Sequence, residues 1–170
     1  MAWAYYLSLV PATHPDHDHG ILNLDAGGHL LVQLRDGKTR NLVGRPGKVL
    51  VVPFFSTKAP GAAAELEGAF RAQEGLKGDT GVEFVYIAED ATFAALDAWL
   101  AENKLVPPVP ASLALDPTGD TTRKLNSKRP LETMIFGGDG KLASQARGPF
   151  DWTVTAPAKI AAAKGGETIE

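Results

Sequence analysis

The sequence predicts an α/β domain in which a central mixed β-sheet is flanked by helices. A continuous apolar run at residues 48–55 is typical of a strand that is buried on both faces. Further strand patterns alternate with helical spacings of apolar residues, and this alternation implies parallel pairing. Two strand patterns on either side of residues 137–141 predict an antiparallel hairpin near the C-terminus.

The predicted elements follow in the order β-hairpin, βαβαβ, short helix, β-hairpin and helix. Apolar runs around Gly27 and Gly28 predict that the first hairpin is an N-terminal extension of the sheet. Strand patterns cover residues 48–55, 82–88, 112–115, 132–136 and 142–146, and helical patterns cover residues 60–73, 93–100, 119–125 and 156–164. Pro53 cannot donate a backbone hydrogen bond, so we expect it where strand pairing ends.

The length of 170 residues fits one domain, with residues 21–170 as the folded part and residues 1–20 as an arm or linker. Residues 2–10 are apolar and aromatic, but they are about half as long as a bilayer-spanning helix. They predict either an arm that packs on the domain or the remnant of a membrane anchor, because aromatic residues favour the membrane interface.

The composition argues against several classes of function. The net charge is −3 and the chain has no block of Lys or Arg, so we expect no binding to nucleic acid. The chain has no cysteine, which excludes disulfide bonds and thiolate nucleophiles. No serine has a G-x-S-x-G setting and the sequence has no phosphate-binding loop, so hydrolase and nucleotide-binding functions have no support.

Several short phrases occur in a fixed order between Gly47 and Trp152. They are G-K-V-L-V-V-P-F-F-S-T at 47–57, D-P-T-G at 116–119, E-T-M-I-F at 132–136, D-G-K at 139–141 and G-P-F-D-W at 148–152. Together they resemble the TlpA/ResA-like branch of the thioredoxin superfamily, which comprises periplasmic or surface-anchored thiol-disulfide oxidoreductases. The resemblance implies a thioredoxin-like fold for this chain and an extracytoplasmic, periplasmic location, with or without a membrane anchor.

The resemblance also shows where the usual chemistry is missing. In the family a W-C-x-x-C motif follows the first phrase, whereas this chain has K-A-P-G-A, with Ala59 and Ala62 at the two cysteine positions. Thiol-disulfide exchange needs an attacking thiolate and a resolving thiol, and alanine supplies neither. The resemblance therefore predicts a redox-inactive pseudoenzyme. Lys58 stands in place of the family's tryptophan, which favours natural loss of the cysteines over engineered replacement.

A second departure concerns the cis-proline that faces the active site in the family. Counting back from residues 139–140 puts Leu131 at that position and Pro130 one residue earlier. Either the turn has gained a residue or the cis-proline is lost. The leading hypothesis is that the surface at these degenerate active-site positions contacts another protein of an envelope assembly pathway. The candidate contact residues are Thr57, Lys58, Pro60, Gly61, Pro130 and Leu131. The oligomeric state stays open.

Thr57 and Lys58 lie where the first core helix is expected to begin. One interpretation is that they bind an anion at the exposed N-terminus of the helix. The other is that Thr57 caps the helix and Lys58 is solvated.

An N-terminal segment, H-P-D-H-D-H, contains His14, His17 and His19. Imidazole and carboxylate groups are ligands that Zn²⁺, Cu²⁺ and Ni²⁺ accept, so a metal site is one interpretation and a solvated polar linker is the other. Three functions thus remain after the sequence analysis. The leading one is a non-catalytic binding or scaffolding domain; the alternatives are an oxidoreductase whose cysteines were removed by engineering and a metal-binding protein that uses these histidines.

Overall fold

A computed structural model of the protein describes residues 30–42, 47–89, 92–124 and 131–164. The strands in these ranges are β1 (Leu31–Gln33), β2 (Thr39–Asn41), β3 (Val49–Phe55), β4 (Val82–Phe84), β5 (Tyr86–Ala88), β6 (Leu113–Leu115), β7 (Glu132–Phe136) and β8 (Leu142–Arg147). The helices are α1 (Ala62–Gly75), α2 (Phe93–Glu102), α3 (Asp120–Lys124) and α4 (Thr155–Lys164), with a short 3-10 helix at Pro110–Ser112.

The eight described strands form one mixed sheet in the order β2-β1-β6-β5-β3-β7-β8, with β4 also paired to β3. Strand β3 runs parallel to β4 and β5, and β5 runs parallel to β6, whereas the other pairs are antiparallel. The predicted α/β class with a central mixed sheet is therefore confirmed. Strands β3, β5 and β6 are parallel, so their C-terminal ends lie at the same edge of the sheet. The loop that leads from β3 into α1 begins at this edge.

An N-terminal hairpin extends the sheet, as predicted, and the described residues contain its pairing of β1 with β2. Strands β1 and β2 pair around residues 34–38, where the Leu34 N–H donates to the Lys38 carbonyl at 2.7 Å. Gly37 takes a φ of +85° in this turn, a conformation that favours glycine. The predicted turn at Gly27 and Gly28 lies outside the described residues.

Strand β3 is buried along its whole length, as its continuous apolar run predicts. On one face its odd-numbered residues Val49, Val51 and Phe55 join a core with apolar side chains of α1, α2 and α4. On the other face Leu50, Val52 and Phe54 pack with apolar residues of β1, β5 and β7. Burial on both faces places this strand at the centre of the domain and fixes the loop that follows it.

Pro53 lies within β3 rather than at its end. Pairing of β3 with β4 stops at Val51↔Phe84, and pairing with β5 resumes at Phe54↔Ile87. The predicted strand 82–88 is thus divided opposite Pro53, because proline offers no N–H to this neighbour. The expectation that pairing ends at Pro53 is wrong for the other neighbour, since Pro53 pairs with Thr133 of β7.

Helix α1 crosses Trp152 at Gly68, where there is little room for a side chain. A methyl group on Gly68 would lie 3.0 Å from Trp152 Cδ1. We expect Gly68→Ala to lower the free energy of unfolding by roughly 1 kcal/mol, because overpacking outweighs the gain in helix propensity. Gly75→Ala is the matched control: nothing lies within 4 Å of its added methyl, so a gain of about 0.5 kcal/mol is expected. Urea denaturation of both variants measures these changes. The prediction would be contradicted if both substitutions changed the free energy of unfolding in the same direction.

Candidate functional site

The candidate site is the loop between β3 and α1, and we call residues 59–62 the APGA loop. Ser56 organises its start, because its Oγ accepts a hydrogen bond from the Lys58 N–H at 3.1 Å. The Ser56 carbonyl accepts from the Ala59 N–H at 3.0 Å, and the Ala59 carbonyl accepts from the Ala62 N–H at 3.2 Å. Two successive tight turns therefore carry the chain from the sheet into the helix.

The first helix begins later than the sequence predicts. Its N-cap is Gly61, with a φ of +83° and no capping side chain, and its first residue is Ala62. The expectation that Thr57 caps this helix is therefore wrong. The anion site expected at Thr57 and Lys58 loses its basis, because these residues precede the helix by a full turn and the Lys58 N–H is already bonded to Ser56.

Leu131 lies against the APGA loop. Its side chain is 8 % exposed, and its Cδ1 atom is 3.9 Å from the position that a Cβ on Gly61 would occupy. Its N–H donates to the Phe54 carbonyl at 2.9 Å, and its carbonyl accepts from the Gly148 N–H at 2.6 Å. The backbone is held with a φ of +62°, which is uncommon for a residue other than glycine. Pro130 lies outside the described residues.

The side chains at this site are small or apolar. Ala62 is 2 % exposed, Ala59 is half-buried against the core, and Pro60 and Gly61 are exposed. Lys58 is exposed and adds a positive charge at the edge, while Thr57 is half-buried. The exposed ring of Pro60 can bury apolar surface against a partner, and none of these side chains offers a thiol for exchange chemistry.

A buried carboxylate lies one turn into α1, and the sequence analysis did not predict its role. Glu65 Oε2 accepts hydrogen bonds from Trp152 Nε1 at 2.8 Å and from the Phe150 N–H at 3.2 Å, and Oε1 accepts from the same N–H at 3.1 Å. Burial raises the pKa of Glu65, and the bonds from Trp152 and Phe150 partly oppose that rise. Glu65 thus joins α1 to the G-P-F-D-W segment behind the APGA loop.

Two further carboxylates near this edge are held by hydrogen bonds. Glu132 follows Leu131, and its fully buried side chain accepts from Gln145 Nε2 and, at 3.2 Å, from Arg147 Nε. Asp116 Oδ2 accepts from the N–H of Thr122 at 2.7 Å and from its hydroxyl at 2.5 Å, at the start of α3. Both carboxylates therefore have structural partners that account for their positions.

The predicted metal ligands His14, His17 and His19 lie outside the described residues, so that site stays a prediction. Within residues 30–42, 47–89, 92–124 and 131–164, no three His, Asp or Glu side chains are grouped to hold a metal ion. Among the helices of the same ranges, none has the length and apolar character needed to cross a bilayer.

No protein-family model and no curated protein matches this chain. Solved structures do match. A protein assigned as the thiol:disulfide interchange protein DsbE of Chlorobium tepidum has 22% identity and a TM-score of 0.67, over 79% of this chain and 92% of that one. A secreted disulfide oxidoreductase of Mycobacterium tuberculosis, homologous to E. coli DsbE, has 17% identity and a TM-score of 0.66, over 81% and 98%.

The exposed lipoprotein thioredoxin of Streptococcus pneumoniae has 15% identity and a TM-score of 0.61, over 76% of this chain and 96% of that one. At such identities these likenesses establish the fold, and they agree with the resemblance found in the sequence phrases. The sequence resemblance puts the redox cysteines of the family at the APGA loop, and the whole sequence contains no cysteine. The chain therefore has a thioredoxin-like fold, and its sequence contains no cysteine that could perform dithiol exchange.

Proposed function

We propose that this chain is a non-catalytic thioredoxin-fold domain that binds a protein partner through the exposed residues of the APGA loop, against which the buried Leu131 packs. The observation that carries the proposal is that the Leu131 Cδ1 atom lies 3.9 Å from the position that a Cβ on Gly61 would occupy, next to a loop in which Ala62 is buried. The exposed residues of the loop, Pro60 and Gly61, carry no charge and lie where the sequence resemblance puts the dithiol. Surface of this kind favours association through burial and offers no chemistry.

The proposal includes an extracytoplasmic location, which rests on the neighbours and not on the geometry of the site. The Mycobacterium tuberculosis neighbour is a secreted protein, and the Streptococcus pneumoniae neighbour is an exposed lipoprotein. We infer that this chain works in the same compartment, where a partner in envelope assembly would meet it. The exposed Lys58 at the edge of the loop adds a positive charge, which favours a partner with an acidic rim.

Site-specific photo-crosslinking in the native host tests the binding surface. A benzophenone side chain replaces exposed Pro60 in one variant and exposed Glu102, at the end of α2, in the matched control. We expect one discrete crosslinked protein from position 60 and none from position 102. Adding Lys58→Glu to the position-60 variant should weaken that crosslink. The same product from both positions, or none from position 60, would refute a partner at this surface.

Restoring the cysteines distinguishes a natural pseudoenzyme from an engineered one. The Ala59→Cys/Ala62→Cys variant should form a disulfide in air, because the Ala62 N–H to Ala59 carbonyl bond closes a tight turn between these positions. We expect its rate of insulin reduction to stay within about twofold of a free dithiol at equal concentration, because Leu131 packs on the loop and Lys58 replaces the flanking tryptophan. The Ala59→Ser/Ala62→Ser variant gives the baseline. Catalysis at a thioredoxin-like rate would support the engineered alternative.

A further inference from the structure

The G-P-F-D-W segment, residues 148–152, runs beside the first two turns of α1, directly next to the APGA loop. At its start the Gly148 N–H donates to the carbonyl of Leu131, which packs on the loop, at 2.6 Å. At its end Trp152 packs against Gly68 of α1. Because an α-helix rises about 1.5 Å per residue, Trp152 lies about 10 Å along α1 from the N-cap in the APGA loop. The segment therefore continues the surface at that loop.

Exposed apolar groups extend from the APGA loop along this segment to the start of α4. Pro149 is exposed, and Phe150 beside it is only half-buried. Val154 is 71% exposed, and the other large apolar residues that are exposed in the described chain, Leu31 and Val106, lie on other elements. We call the exposed side of residues 149–154 the 149–154 surface. Its apolar groups are accessible to a partner that also contacts the loop.

Two exposed charges of opposite sign accompany these apolar groups. Lys58 lies just before the APGA loop, and Asp151 lies within the 149–154 surface. The Asp151 carboxylate accepts hydrogen bonds from the N–H groups of Thr153 and Val154 at 3.0 and 3.2 Å. The hydroxyl of Thr153 and these N–H groups lower the pKa of Asp151 to about 2, so the carboxylate is ionised at neutral pH. The combined surface is therefore positive at the loop and negative beside α4.

The backbone between the two parts of the surface limits how a partner can bind. The Leu131 N–H is already bonded to the Phe54 carbonyl, and the Leu131 carbonyl is bonded to the Gly148 N–H. A partner strand therefore finds no free N–H at Leu131 for pairing, so the contact must come from side chains. A stable protein interface engages about 20 residues on each side, so the contact must also extend beyond the APGA loop.

We propose that the 149–154 surface forms one interface with the APGA loop, and that its partner is a folded protein with apolar side chains between an acidic and a basic residue. The acidic residue of the partner faces Lys58 and the basic residue faces Asp151, because opposite charges are matched across protein interfaces. The apolar groups of the 149–154 surface are buried between these charges. This inference rests on the proposed function, since it extends the same binding surface.

Photo-crosslinking of the full chain in the native host tests the extended interface. A benzophenone side chain replaces Val154 in one variant and Val106, which is also a highly exposed valine, in the matched control. We expect position 154 to give the same crosslinked protein as position 60, and position 106 to give none. A product from position 60 with none from position 154, or the same product from position 106, would overturn this inference and leave a partner at the loop. No product from position 60 would overturn both proposals.

Substitutions that change the yield of the crosslink from position 60 test the class of partner. Val154→Gln removes apolar contact without adding charge and should lower the yield about fivefold, whereas Val106→Gln should leave it unchanged. Asp151→Asn removes the negative charge and keeps Oδ1 as the acceptor for Thr153, and it should lower the yield about threefold. Circular dichroism of each purified variant checks that it is folded. An unchanged yield with Val154→Gln would overturn the extended interface, and an unchanged yield with Asp151→Asn would overturn the basic group of the partner.

Discussion

Replacing Leu131 by proline is expected to lower the free energy of unfolding by about 3 kcal/mol. Proline fixes φ near −65°, whereas Leu131 has a φ of +62°. The substitution also removes the N–H that donates to the Phe54 carbonyl at 2.9 Å, and it removes most of an apolar side chain that is 8 % exposed. A proline at this position should therefore be incompatible with this backbone.

Chemical denaturation of Leu131→Pro beside Leu131→Met measures this effect. Methionine keeps the N–H and nearly the same volume, so its cost should stay below about 1.5 kcal/mol. If the two variants proved equally stable, position 131 would have to adopt a negative φ, and the packing of Leu131 on Gly61 would need revision. The expected result means that the backbone at position 131 is held in a conformation that proline cannot adopt.

The fold was predictable from the sequence because local patterns and ordered phrases agreed. The apolar run of β3, the helical spacing of α2 and the hairpin at residues 132–147 each depend on neighbouring residues, and the structure has all three. The ordered sequence phrases indicated how these elements combine into one fold. The position of the APGA loop followed, because it lies directly between a buried strand and the first core helix.

The details of the site were not predictable, because they depend on contacts between distant residues. Nothing near Leu131 indicates a positive φ, since that conformation is imposed by bonds to Phe54 and Gly148. The interruption of the strand at residue 85 reflects Pro53, more than thirty residues earlier. In both cases the backbone conformation that the local sequence favours differs from the one that contacts with distant residues impose. Sequence patterns do not show such a difference.

Replacing Glu65 by alanine is expected to cost about 3 kcal/mol of stability. The change removes the acceptor for Trp152 Nε1 and for the Phe150 N–H, and it leaves both donors in a buried region. Glu67→Ala on the same helix is the matched control. Glu67 is exposed and paired with Arg71 at i,i+4, so its loss should cost no more than about 0.5 kcal/mol. Similar losses for both variants would contradict a structural role for Glu65.

The pH dependence of Glu65→Gln reveals the cost of keeping a charge at this position. Because burial raises the pKa of Glu65 in the folded state, folding favours its protonated form. Its contribution to stability is then complete below the unfolded pKa of about 4.5 and declines as pH rises through the raised folded pKa. Glutamine stays neutral and can place its carbonyl oxygen where Oε2 accepts both donors. Stability of the wild type relative to Glu65→Gln should therefore fall from acidic to neutral pH in urea titrations. A difference that stays constant with pH would show that Glu65 has the same pKa in the folded and unfolded states. The expected decline would show that, at neutral pH, an ionised Glu65 joins α1 to the G-P-F-D-W segment at a cost in stability.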